Sequence, residues 1–198
     1  SAELDAAIAG AYAPLANATT GAYNPANVVA LLDGRDRNIA EQRFRGADLS
    51  IRYRAPMGNG RSLTLTAGAT WLDSQQRLLP GLPATDLAGT IFNPPHFKAR
   101  GGASFGDERF TLASFLSFTG GVTDNRRAVP VKISPVATLD LTARFKLADL
   151  ADVSLSALNI FDAKPDQTIV AGAGDTPFDS TNYSAVGRFI GVTISRDW

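Results

Sequence analysis

The sequence contains no cysteine, which excludes disulfide staples, thiolate catalysis and cysteine-ligated metals from the start. It has one histidine, His96, and an imidazole-based metal site would need His or Cys partners that the chain lacks. An excess of either charge is missing too. The 19 Lys+Arg balance the 19 Asp+Glu, leaving no net field to gather nucleic acid or an acidic surface. No stretch approaches the roughly 20 consecutive apolar residues of a transmembrane helix. If this chain meets lipid, it must do so with β-strands.

Strands are what the sequence offers. From Arg61 to Asp73, Leu63, Leu65, Ala67, Ala69 and Trp71 alternate with Ser62, Thr64, Thr66, Gly68 and Thr70. Successive strand residues point to opposite faces, so this segment has one apolar face and one of small polar groups. The pattern recurs around Ala47–Tyr53, Phe97–Phe105, Phe110–Phe118, Leu139–Leu147, Val153–Phe161 and Gly187–Trp198. That makes about seven strands.

Short and long connections alternate between them. Residues 55–60, 106–108 and 148–151 are tight turns with Gly, Asn and Asp chemistry. Residues 74–96, 120–135 and 162–184 are long and hold much of the proline and glycine. Short turns at one end and long loops at the other are the rhythm of an up-and-down transmembrane barrel, and loops this long are uncommon in compact soluble domains. Ahead of the strands, Asn24-Pro25 has the form of an N-cap followed by proline at the first helical position, which predicts a short helix over 25–32. The expected division is a loop region with that helix over 1–42 and barrel strands over 43–198.

Alternation alone fits a soluble β-sandwich as well. The placement of charge separates the two readings. Asp48, Arg52, Lys98, Arg100, Asp140, Arg144 and Lys146 share one parity, predicted to face a lumen. The other parity is nearly free of charge until Arg196, as lipid contact demands. Tyr53, Trp71, Phe97, Phe105, Phe110, Phe118, Phe145 and Trp198 stand near strand ends on that apolar parity, where aromatic girdles form. The expected fold is therefore all-β: an antiparallel barrel sector of about seven strands with long extracellular loops. A soluble sandwich acting as a binding module and a porin-like diffusion barrel remain the alternatives.

The closing segments resemble a known family. Asn159, Phe161 and Asp162 at a strand end, then Phe178-Asp179, then Gly187-Arg188 opening a strand with a terminal aromatic, resemble the last hairpin of TonB-dependent receptors. Upstream, Asp33-Gly34-Arg35, Asn38-Ile39-Ala40, Gly46-Ala47-Asp48-Leu49 and Gly89-Thr90-Ile91-Phe92-Asn93-Pro94-Pro95 resemble further stretches of that family, in order. The resemblance implies a sector of a plugged barrel of roughly 22 strands in the outer membrane of a Gram-negative bacterium. It implies TonB-dependent uptake of a scarce ligand of the ferric siderophore, cobalamin or sugar type. The implied partners are outer-membrane lipid, a plug domain and further strands of the same full-length chain, TonB through a preceding segment, and a small-molecule ligand. It also implies that Ile190, Val192, Ile194 and Trp198 form the alternating stripe read by the barrel-assembly machinery, interrupted by Arg196.

Catalytic signals are absent: the sequence holds no G-x-S-x-G, no P-loop and no His/Ser pairing, so neither an enzyme nor a cofactor is expected. Asp162, Asp166, Asp175 and Asp179 crowd one loop without calcium-loop spacing and are expected to be a solvated acidic segment. His96 is expected to be a loop histidine. Arg126, Arg127 and Lys132 form a basic cluster that an anionic ligand could use, since guanidinium groups pair well with carboxylates.

Overall fold

A computed structural model describes residues 41–79, 81–126, 128–147, 150–170 and 174–196. The predicted helix at 25–32, nearly all of the 1–42 region, Arg127 and Trp198 lie outside the described residues. Ten strands run in order: β1 (Glu41–Pro56), β2 (Ser62–Arg77), β3 (Thr85–Asp86), β4 (Phe97–Gly106), β5 (Phe110–Thr119), β6 (Val122–Asp124), β7 (Val131–Ile133), β8 (Val136–Leu147), β9 (Ala151–Leu158) and β10 (Phe189–Ser195). Seven of them form one antiparallel path, β1-β2-β4-β5-β8-β9-β10, in which each long strand pairs with the next. This is the predicted up-and-down meander.

The register aligns the two parities across the whole path. Leu49 lies opposite Ala69, which lies opposite Ala99, which lies opposite Phe118. One face thus collects Leu49, Ile51, Leu65, Leu112, Leu116, Leu141, Leu155, Ile190, Val192 and Ile194, and all of them are exposed. Among the described residues no second sheet covers that face, because the only other sheet is the β6-β7 hairpin. The sandwich alternative required such a cover.

Aromatic rings bound this face at both ends. Trp71 pairs with Phe97, whose ring lies 6.0 Å from that of Phe118. At the far end Phe110 pairs with Phe145, ring centroids 5.1 Å apart, with Phe105 on the neighbouring strand. The short turns lie beyond the Phe110–Phe145 row. Gly58, Asn59 and Gly60 all have positive φ, which lets β1 reverse into β2 within five residues. In the β4-β5 turn Asp107 Oδ1 accepts the backbone N–H groups of Arg109 and Phe110, both at 2.9 Å. Those bonds hold its carboxyl below the usual aspartate range.

The long loops leave from the Trp71–Phe97–Phe118 end and depart from the expectation of irregular chain. β3 extends β2 at Gln75 and Gln76, and β6 pairs with β7 inside the second loop. The buried apolar residues Ala88, Ile91, Val122, Ile133 and Tyr183 are all in these loops, four of them in one cluster. Among the described residues the molecule's dry core is therefore in its loops, while its largest apolar surface is bare. A left-handed turn at Asn159 (φ 48°) ends β9 before the predicted limit at Phe161, and β10 begins two residues after the predicted Gly187.

Candidate functional site

The polar face gathers the seven charged residues expected to share it. Along the register Arg52 lies opposite Thr66, Lys98 opposite Thr70, Arg100 opposite Ser117, Arg144 opposite Ser154 and Lys146 opposite Asp152. These residues form a strip of local pairs rather than one convergent centre. Thr70 donates to Asp48 at 2.6 Å, Arg144 meets Asp152 at 2.7 Å, and the Arg100 guanidinium lies 4.7 Å from the Phe115 ring centroid. Asp152 and Phe115 escaped the sequence reading. Their partners are across the sheet, so no local spacing announces them.

Two members of the strip reach the loops. Asp140 Oδ1 accepts the Asn159 N–H at 2.8 Å, and Lys98 Nζ donates to Asn182 Oδ1 at 3.3 Å. Asn182 belongs to the strongest polar assembly in the loops, centred on Asp179. The Asp179 carboxylate is fully buried and accepts the N–H groups of Phe92 (3.2 Å), Thr181 (3.1 Å) and Asn182 (3.2 Å), and the Asn182 side-chain amide (2.8 Å). The same amide donates to the Asn93 carbonyl at 2.6 Å, while Tyr183 Oη donates to the Gly120 carbonyl at 2.7 Å. One carboxylate, one amide and one phenol thus tie all three long loops together. Burial, with the negative charges of Asp179 and Asp166 nearby, raises the Tyr183 hydroxyl to about 12.

The remaining motif residues fasten the two ends of the last loop. Asn159 exchanges two side-chain hydrogen bonds with the backbone of Ala163, at 2.8 and 2.9 Å. Asp162 Oδ1 accepts the Arg188 N–H at 2.8 Å, and Arg188 Nη1 reaches the Ile160 carbonyl at 3.4 Å. Gly187 is needed at this closure because a Cβ there would collide with the Asp162 carboxylate. The Arg188 N–H, then Lys164, lower the Asp162 carboxyl below the ordinary value. Phe178 is half-buried beside Asp179, whereas the Phe161 side chain is exposed.

The expectation of a solvated acidic loop fails at Asp179, which is buried, whereas Asp166 is exposed and Asp162 and Asp175 stay partly open to solvent. Asp179 is buried, Asp166 accepts the Ser134 N–H at 2.8 Å, Asp175 meets Arg126 at 3.1 Å and Asp162 closes the loop. The physical reason at Asp179 is that loop backbone N–H groups need acceptors once water is displaced, and aspartate is the shortest strong one. No group of three or more His, Cys, Asp or Glu is placed to hold a metal among the described residues.

The basic cluster also separates. Arg126 donates to Asp124 at 2.9 Å, to Asp175 at 3.1 Å and to the Ile169 carbonyl at 3.0 Å, with its guanidinium 5.1 Å from the Phe92 ring centroid. Those hydrogen bonds, Asp124 first, raise its pKa further. Arg126 is therefore a cross-link within the loops. Lys132 is exposed on β7 opposite Thr123. His96 holds the Leu72 carbonyl through Nδ1 at 2.9 Å where β2 passes β4. On β10, Ile190, Val192 and Ile194 form an exposed stripe opposite Ala157, Leu155 and Val153.

Comparison with known proteins bears directly on this geometry. No curated protein and no solved structure matches the chain. A family model described as TonB dependent receptor-like, beta-barrel matches residues 11–161, from ahead of β1 to just past β9. That match covers most of the chain and contains six of the seven strands of the path. The chain belongs to the TonB-dependent receptor-like β-barrel family.

Proposed function

We propose that this chain forms part of the wall of an outer-membrane receptor in a Gram-negative bacterium, with β1 and β10 continuing into further strands of the same full-length protein. The receptor takes up a scarce small molecule by TonB-dependent transport, of the siderophore, cobalamin or sugar type, around a plug domain. The observation that carries this reading is the sheet's two-faced band. On β4 and β5 the aromatics Phe97 and Phe105, and Phe110 and Phe118, stand eight residues apart, roughly 26 Å along a strand rising 3.3 Å per residue. A tilt of about 40° makes that a height of about 20 Å, close to the roughly 25 Å apolar band of outer-membrane barrels. Between the rows the exposed face is free of charge, and the opposite face holds Asp48, Arg52, Lys98, Arg100, Asp140, Arg144 and Lys146, which would line the lumen. Among the basic loop residues, Lys132 on β7 is exposed and would be open to an anionic ligand.

The absence of cysteine makes the test direct. Single cysteines placed in the full-length protein at Val129, in a long loop, and at Asn59, in a short turn, are probed with a membrane-impermeant maleimide. Labelling at Val129 in intact cells, with labelling at Asn59 only after permeabilisation, is the expected result. The reverse pattern, or recovery of the protein in a detergent-free soluble fraction, would overturn the reading. Loss of the receptor and loss of TonB should abolish uptake of the same ligand.

A further inference from the structure

The polar face carries an apolar patch at its loop end. Val136, Leu158 and Phe189 stand on the parity that elsewhere carries mostly Ser, Thr and charged residues. Register pairs Phe189 with Leu158, and Val136 with Thr119. They form the floor of a cavity of about 360 Å³, roofed by residues 182–187 of the last loop. That size is at the small end of the roughly 300–1,000 Å³ typical of ligand pockets, enough for a ring-sized group.

The cavity wall has a definite chemistry. No Asp, Glu, Lys, Arg or His lines it. The hydroxyls of Ser117, Thr119 and Thr138 border the apolar floor, and none of them has a side-chain hydrogen-bond partner among the described residues. Ser117 and Thr138 are cross-strand neighbours, so two of these hydroxyls stand side by side. The asparagine amides at the rim are spent on the loop backbone and on Asp179. Phe189 is half-exposed. The other end of the same face differs, since there Arg54, Asp107 and Glu108 line a shallow hollow.

We propose that this cavity is a subsite for a neutral, polyhydroxylated ring, a saccharide unit of the transported ligand. The Phe189 ring offers a flat apolar surface to the C–H face of a pyranose. The three hydroxyls, each both donor and acceptor, serve the hydroxyls around its rim. A polyanionic iron chelate would instead require cations, which this wall lacks. The inference rests on the receptor reading and narrows its ligand class.

The test uses the full-length receptor purified in detergent, titrated calorimetrically with glucose-, galactose- and mannose-containing di- and trisaccharides. At least one should bind saturably. Phe189→Ala should weaken that binding tenfold or more, and the isosteric Thr138→Val a few-fold, while the distant Arg61→Gln leaves it within twofold. Failure of a natively folded receptor to bind any of these saccharides overturns the proposal, as does binding that neither Phe189→Ala nor Thr138→Val alters. Both results leave the receptor reading standing. Absence of the full-length protein from the outer membrane would remove the receptor reading itself.

Discussion

The apolar face of the sheet and the loop cluster above it use hydrophobic side chains in opposite ways. On the sheet, Leu49, Leu116 and Ile190 are 56%, 55% and 73% exposed, and nothing in the described chain covers them. In the loops, Ile91, Val122 and Ile133 are 5%, 3% and 3% exposed, and they pack beside a buried carboxylate. Soluble proteins rarely leave an apolar patch the width of seven strands uncovered. The sheet therefore reads as a surface shaped for a solvent that is not water. The loops read as a small water-soluble fold built on its rim. The lesson is that burial in this chain follows position relative to the aromatic rows, not hydrophobicity.

The largest effect should come from placing charge in the middle of the apolar band. Leu141 lies opposite Ser114 and Ala157 on that face, and its neighbour Thr142 lies opposite Ala113 and Ser156 on the other. Leu141→Lys should cost about 2–4 kcal/mol, as for a cation at the bilayer midplane. Thr142→Lys should cost much less. Urea unfolding of the full-length receptor in lipid vesicles measures both. Equal losses for the two variants would abolish the distinction between the faces.

Asp179→Ala tests the other half of the comparison. It leaves N–H groups from Phe92, Thr181 and Asn182 without their carboxylate, at about 1–3 kcal/mol for each donor that stays unsatisfied. Extracellular protease should then cut all three long loops in intact cells, while the barrel keeps its resistance to unfolding in detergent. Loss of the barrel along with the loops would show that the two regions are one cooperative unit.

Gly187→Ala should act more weakly and on the last loop alone, because it disturbs the contacts of Asp162 with Arg188 and Lys164. The loss should be smaller than that of Asp179→Ala, because an exposed donor recovers water as its partner. The same closure has a pH signature. Since the folded-state carboxyl of Asp162 lies below the ordinary 3.8, its contribution is present above that value and is lost as pH falls through the lowered one. Pepsin, which is active in acid, should therefore nick the last loop of wild type at lower pH than that of Gly187→Ala.

The strands were legible because their evidence is local. Period-2 alternation over 10 to 16 residues marks β2 and β4 without knowledge of any partner. The resemblance to a receptor family rested on short motifs in order and needed no contacts either. The loop fold was not legible. β6 and β7 are three residues each, too short for alternation to register, and Val122 and Ile133 meet only through the hairpin. The clamp was hidden for another reason. Asp179 binds backbone N–H groups, one of them 87 residues away at Phe92, and a backbone donor leaves no trace in residue type. Asp179 therefore looked like solvated charge when it is buried, while Asp162, Asp166 and Asp175 fasten the loop and keep contact with solvent.

The smallest effect, and the most specific to the loop fold, concerns Tyr183. Its hydroxyl is held neutral up to about 12 by burial and by the charges of Asp179 and Asp166, against an ordinary value of 10. A raised folded-state pKa means that the folded loops bind this proton more tightly than the unfolded ones. The contribution to stability is thus complete below pH 10 and is lost as pH rises towards 12. The chain has four tyrosines, so the signal is read as a difference. Absorbance at 295 nm of the wild-type receptor minus that of Tyr183→Phe should show a step near 12, accompanied by loop proteolysis in the wild type over the same interval. A step near 10 would place the ring in water and dissolve the contrast between the dry loop core and the bare sheet. Asp179→Ala should move the step downward, because it removes one of the two negative charges and opens the cluster to solvent.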